Sequence, residues 1–327
     1  METNETAGAT ILDLEVLEGP LRGERVAGLS YRRLGAGPTT GDTVLANTLG
    51  LEMGLGTGGV AVVVPGGGGD APPNENHFAK LPYTPLQFAA EPPEQGPDLV
   101  NSRVVVLPLH SHLAPACCAA GDLMPGCRVS FVWQEGGALP VGFSRSAPEL
   151  RDRGLLDVVV SSGNCFGGDI EAPNVYAGLL AAARVSDVVL IGIGPGIVGS
   201  GSFYGHGGMA AAGSLNAACA LGARPVLAPR LSEADPRDRH RGISHHTRSA
   251  LQAALGEARV ALPPSAGDLP VEGLPNRHRV VPVSYGAAGL EARFGVTFES
   301  MGRTYAEDRP FFDAAAAAVA LALGGAG

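Results

Sequence analysis

From residue 104 onward, short apolar runs alternate with longer amphipathic ones. The runs 104–109, 128–133, 157–161, 188–193 and 225–228 have the length and β-branched content of strands buried on both faces. Helix-sized stretches separate them near 111–120, 148–153, 173–184 and 209–221. Further on come a helix over 244–258, a strand over 280–284, a short helix, an extended run at 295–298 and an Ala-rich terminal helix at 313–323. This alternation predicts an α/β fold: a Rossmann-like, mainly parallel sheet with helices on both faces.

The upstream texture differs. Residues 11–17, 25–31, 43–47 and 60–64 read as short strands with no helical period between them. They predict a small β-rich N-terminal domain, barrel- or sandwich-like. A loop of four glycines bounded by prolines, 65–73, then leads into a Pro-rich stretch that reaches Pro97. The expected division is therefore 1–100 for the β-rich domain and its connection, and 101–327 for the α/β domain.

Composition narrows the function classes. A hydrophobic content of 45% over 327 residues suits a packed core, and a net charge of −9 argues against an electrostatic nucleic-acid platform. Lys80 is the single lysine, so arginine carries the remaining positive charge; its planar fork suits carboxylate and phosphate. The first 19 residues lack a basic region followed by an apolar one, and the Ala-rich tail is too short to span a bilayer. The five cysteines form no CxxC, which suits reduced thiols. The expectation is a soluble cytoplasmic protein with no membrane or nucleic-acid partner.

In open α/β sheets, ligands bind outside the carboxyl ends of the strands. The unusual residues of this chain follow predicted strands. The densest group is 230–246, with three histidines, three acids and four arginines. There Asp235, Asp238, His240 and either His245 or His246 are candidates to move protons. Asp235, Asp238, His240 and His245 are candidates to hold a divalent metal, with Arg237, Arg239 and Arg241 balancing an anion. Ser244 suits an N-cap, which puts both following histidines in a first helical turn, where the dipole disfavours imidazolium. Adjacent helical positions point about 100° apart, so one of the two is expected to face the site. The bland alternative is a solvated salt-bridge loop.

Three other loops carry weaker signals. Gly194, Gly196 and Gly199 match GxGxxG, and with Ser200 and Gly201 they suggest a cradle of backbone amides for an anion. A dinucleotide site would need a helix at once and an acid about 20 residues later; neither follows, so a loop packed closely through its glycines competes. Asn164, Cys165 and Asp169 lie between a strand and a helix. Asn164 suits ligand contact, Cys165 a nucleophile and Asp169 a base or metal ligand, against plain helix capping by Asp169 and Glu171. His110 and His112 share a face if strand geometry persists, which would suit a shared metal. The stretch 74–87 reads as a lid over the sheet edge or a simple connection.

Several of these stretches together resemble a bacterial family of unknown function, domain of unknown function 3866. They are 193–199, 168–171 with 174–176, 235–247, 41–47 with 54–59, and 83–87. The resemblance covers nearly the whole chain but does not extend to Cys165 or His112, and it implies no activity. The residues themselves point to an enzyme acting on a small phosphorylated or carboxylated metabolite, a metal-dependent hydrolase or transferase. A non-catalytic ligand-binding or assembly protein, including a homo-oligomer, is the alternative. A nicotinamide-dependent oxidoreductase is the third.

Overall fold

Near-continuous apolar runs place eight strands in one sheet. The computed structural model describes residues 5–324 except 7, 36, 53–58, 65–77, 83, 85, 95, 97 and 272. Its sheet contains β1 (Arg103–Leu107), β2 (Val129–Gln134), β3 (Val158–Ser162), β4 (Ile170–Ala172), β5 (Val188–Ile193), β6 (Val226–Leu227), β7 (Arg259–Leu262) and β8 (Arg279–Pro282). The order is β4-β3-β2-β5-β1-β6-β7-β8, and every neighbouring pair is parallel. The chain is an α/β protein on a Rossmann-like parallel sheet.

Such a sheet is covered on both faces, so its strands are apolar on both. Every residue of β2 and of β5 is buried. Successive residues divide between two cores, Val105 and Leu107 in one, Val104 and Val106 in the other. Helices α1 (Leu113–Leu123), α2 (Ser146–Asp152), α6 (Leu290–Phe294) and α7 (Arg309–Ala322) contribute to the first core. Helices α3 (Val175–Val185), α4 (Ala210–Ala220) and α5 (His245–Ala253) contribute to the second. The alanines of α1 and α7 are buried together in the first core, where side chains this small let the two helices approach closely.

Connectivity marks one end of the sheet. After β1 the chain enters α1 on one face, and after the adjacent β5 it enters α4 on the other. Loops that leave neighbouring strands in opposite directions open a crevice at their carboxyl ends.

Two strands of this large sheet escaped the periodicity. Strand β4 has three residues, and its presence means that Asp169 and Glu171 do not start a helix. Asn174 caps α3 instead, its Oδ1 accepting from the Ala177 amide at 3.0 Å. Strand β7 follows a helix that ends at Ala253 rather than at residue 258, because Ala254 turns extended just before Leu255 and Gly256. The run 295–298 is not part of a strand; the next two residues, Glu299–Ser300, pair with Arg303–Thr304.

In the N-terminal part, the expected barrel or sandwich takes the form of an open five-stranded sheet. Its two long strands, Ala9–Glu15 and Arg25–Tyr31, pair antiparallel over seven positions. Its core includes Phe166 from the β3–β4 loop, which meets Tyr31 edge-on at 5.7 Å. A short hairpin, Ala79–Lys80 with Phe88–Ala89, is fixed to the sheet edge by Lys80. The Lys80 ammonium donates to the carbonyls of Ser161 (3.1 Å) and Ala172 (3.0 Å) and pairs with Glu171 at 3.3 Å, all buried. The glycines 54–58, the loop 65–73, residues 74–77, and Tyr83 and Pro85 of the expected lid lie outside the described residues. No helix of the described residues is long and apolar enough to cross a membrane.

Candidate functional site

The segment after β6 turns back on itself. Leu231–Ser232 pairs antiparallel with Gly242–Ile243. Gly242 has φ +64°, and a Cβ there would meet Pro270 at 2.6 Å, so both backbone and space demand glycine. Beyond the hairpin Ser244 caps α5, its hydroxyl accepting from the His246 amide at 3.2 Å. The turn Asp238–His240 brings His240 to the same serine, with Nδ1 2.7 Å from Ser244 Oγ.

The loop after β5 delivers a fourth histidine. Gly199 and His206 form an antiparallel bridge, and the Ser200 amide donates to the Gly205 carbonyl at 2.7 Å. The segment is thus a small hairpin, with Val198, Phe203 and Tyr204 exposed. Its return limb lies against the loop after β2: a Cβ on Gly207 would fall 1.8 Å from the Gly136 oxygen. His206 Nε2 lies 3.1 Å from the Phe203 carbonyl and 2.9 Å from Ser249 Oγ. Donation to that carbonyl puts the proton on Nε2 and leaves the Nδ1 lone pair free.

Four imidazoles therefore meet at the carboxyl edge of the sheet. His206 stacks on His246 with centroids 3.9 Å apart and planes 23° from parallel. His245 lies 4.3 Å from His246, and His240 lies 4.8 Å from His245 and 4.9 Å from His246. Both first-turn histidines reach the cluster, where one was expected, because His206 and His240 meet them from different loops. Ring nitrogens of His206, His245 and His246 lie within 4.8 Å of one another, a spacing able to hold a metal ion.

Behind the rings lies a buried charge network. Arg230, 4% exposed, donates to Asp235 Oδ2 at 3.0 Å and approaches His246 Nδ1 at 3.3 Å. Asp235 also accepts two bonds from the Arg237 side chain at 2.9 Å, and Arg303 lies 3.6 Å away while binding Asp308 at 3.0 Å. Burial alone would raise the Asp235 carboxyl, but the Arg237 hydrogen bonds and the surrounding guanidinium charge hold it well below the carboxylate range. Burial lowers Arg230 to about 10, which leaves it protonated at neutral pH. Burial first, then the charge of Arg230 and neighbouring rings, lowers His246 to about 2 and His240 to about 3. His206 and His245 shift down for the same leading reason. The cluster is one of neutral imidazoles beside a cation.

Not every residue singled out in the sequence arrives here. Asp235 has its carboxylate engaged by guanidinium groups, and Asp238, Arg239 and Arg241 are exposed around the turn. Arg237 binds Asp235. Of the four expected metal ligands, His245 belongs to the group whose ring nitrogens can share an ion. Gly194 and Gly196 lie at the base of the β5 loop, while Gly199, Ser200 and Gly201 sit exposed on the hairpin. Asn164 is exposed, its amide held by Glu135 at 2.8 Å. Asp169 pairs with Arg151 and accepts from the Val159 amide at 2.8 Å, beside the amino end of β3 and thus away from the carboxyl edge. Burial pushes the Cys165 thiol well up, away from nucleophilic reactivity.

His110 and His112 do not share a face, because the strand ends before them in a 3-10 turn. His110 Nε2 meets Ser144 at 2.8 Å and Ser146 at 3.1 Å, while His112 packs on Phe311 at 4.6 Å.

A family model described as "Protein of unknown function (DUF3866)" matches residues 27–319. The chain belongs to the DUF3866 family. Searches of the curated proteins and of the solved structures find no match. The matched span of this DUF3866 chain includes all four clustered histidines and Arg230. The sequence-derived candidates include neither Arg230 nor Arg303 of the charge network, nor the fourth ring of the cluster, His206. It lay within a loop already singled out, but a lone histidine among glycines has no spacing partner to announce it.

Proposed function

We propose that this protein is an enzyme acting on a small phosphorylated or carboxylated metabolite, by hydrolysis or group transfer, at the carboxyl edge of its parallel sheet. The observation that carries this reading is the buried Arg230 guanidinium set against four neutral imidazoles. Arg230, Arg237 and Arg303 outnumber Asp235 and Asp308 in the network, so the local charge favours an anion. Neutral imidazole is the form that accepts a proton. His245 is the one of the four that is not fully buried, so a ligand at the edge meets it first. Exposed Arg239 and Arg241 stand on the adjoining turn to meet the ligand's charge.

Titration of the full chain with inorganic phosphate and with small dicarboxylates tests the reading. Saturable one-to-one binding that moves the ring ¹⁵N resonances of the clustered histidines supports it. Absence of binding, or binding that leaves those resonances in place, overturns it. Exposed Val198, Phe203 and Tyr204 favour a second reading, an assembly or binding protein without catalysis. Under that reading, polar substitution of these three changes oligomeric mass and leaves anion binding as it was.

A further inference from the structure

We propose that His206, His245 and His246 form a three-nitrogen site for a borderline divalent cation of the zinc type, with one position left open to water or an anion. The site uses the same cluster as the proposed function, but binding of the cation does not depend on catalysis. The three ring nitrogens already lie within 4.8 Å of one another. Tetrahedral coordination at about 2.0–2.1 Å brings such nitrogens to about 3.3 Å apart, so the rings must turn inward to close on an ion.

The outer contacts are those a metal site needs. His206 is oriented by the Phe203 carbonyl and the Ser249 hydroxyl, as ligating histidines are by their second nitrogen. Its Nδ1 is buried with no partner among the described residues, and so is His245 Nδ1. A buried nitrogen without a partner is costly, so two in one cluster call for a shared acceptor of their lone pairs. The third nitrogen comes from His246. A ring that accepts from Arg230 at Nδ1 carries its proton on Nε2, so ligation requires that long 3.3 Å contact to open. The His206–His246 stack must open as well, since near-parallel rings do not converge on one ion.

Donor chemistry selects the ion. An all-imidazole set suits zinc and its neighbours and offers nothing to magnesium or calcium, which take oxygen. With neutral ligands the ion keeps its full charge, so the open position favours an anion, in keeping with Arg230 beside it.

Cobalt(II) and zinc(II) titrations of the chelator-treated full chain decide the matter. The expected result is one ion per chain, with the visible absorption of four-coordinate cobalt. Affinity falls by about 100-fold or more in His206→Gln and in His245→Gln, and stays unchanged in the exposed Asp238→Asn. Ring ¹⁵N spectra of the unmutated chain, recorded with zinc, guard against variants that fail to fold: three histidines must shift together. No binding, or binding that moves neither those resonances nor the variants' affinities, overturns the site. Loss of cation binding with phosphate binding retained removes this inference and leaves the proposed function standing.

Discussion

His206 and His246 stack ring on ring at 3.9 Å, although one closes the loop after β5 and the other begins the helix after β6. Contact between these two loops is what turns a charge-rich segment into a site. The segment 230–246 alone contributes three rings; the fourth arrives because β5 and β6 flank β1 in the sheet.

Asp235 is a keystone of that site. It is fully buried and bound by Arg230 and Arg237, with Arg303 nearby. Asp235→Asn keeps the shape but leaves buried guanidinium charge unbalanced, so a loss of about 3–5 kcal/mol is expected. Asp238→Asn, on the exposed turn, is expected to stay within about 0.5 kcal/mol. Urea unfolding of both variants against the parent checks the contrast.

Acid should weaken the fold through histidines held neutral. Burial lowers His110 to about 4, and burial with the charge of Arg230 lowers His112 to about 3, from 6.5. Below about pH 6.5 the unfolded chain binds protons that the folded chain refuses, so stability falls as pH drops toward 4 and then 3. Each group contributes a slope of up to about 1.4 kcal/mol per pH unit. Urea midpoints between pH 7.5 and 4 should show this decline, and His112→Leu should make it shallower.

Lys80 is a tie rather than a surface charge. Lys80→Met leaves Glu171 buried, still hydrogen-bonded to Ser161 but without its cation. A loss of about 3–5 kcal/mol is expected, with earlier proteolytic cutting near the Ala79–Lys80 hairpin. A double-mutant cycle with Glu171→Gln should show strong coupling between the two.

Cys165 should be inert. Its thiol is buried and its pKa pushed well up, by burial first and by Glu135 second. Iodoacetamide treatment of the folded chain followed by peptide mass mapping should leave Cys165 unmodified, and Cys165→Ala should retain anion binding.

The parallel sheet was legible because buried β-branched runs such as Val188–Ile193 announce themselves. Strands β4 and β7 were not, since three or four residues beside a helical pattern carry too little periodicity. The charged segment was recognised, but its internal roles depended on burial. Sequence spacing made Asp235 and Asp238 equals, whereas folding buried one against arginines and left the other in solvent. Asp169 was expected with the strand-end loops, but the parallel pairing of β3 with β4 carries it back to the opposite end of the sheet.

The central claim is that this cluster performs chemistry on a small anion. Its most direct test is turnover of phosphomonoesters, phosphodiesters and carboxylic esters by the full chain, with and without zinc. The parent and His245→Gln are assayed side by side, both verified as folded. The prediction is that one ester class reacts above the uncatalysed rate and that His245→Gln abolishes the excess. Background rates for every class, or rates that His245→Gln leaves unchanged, would contradict it.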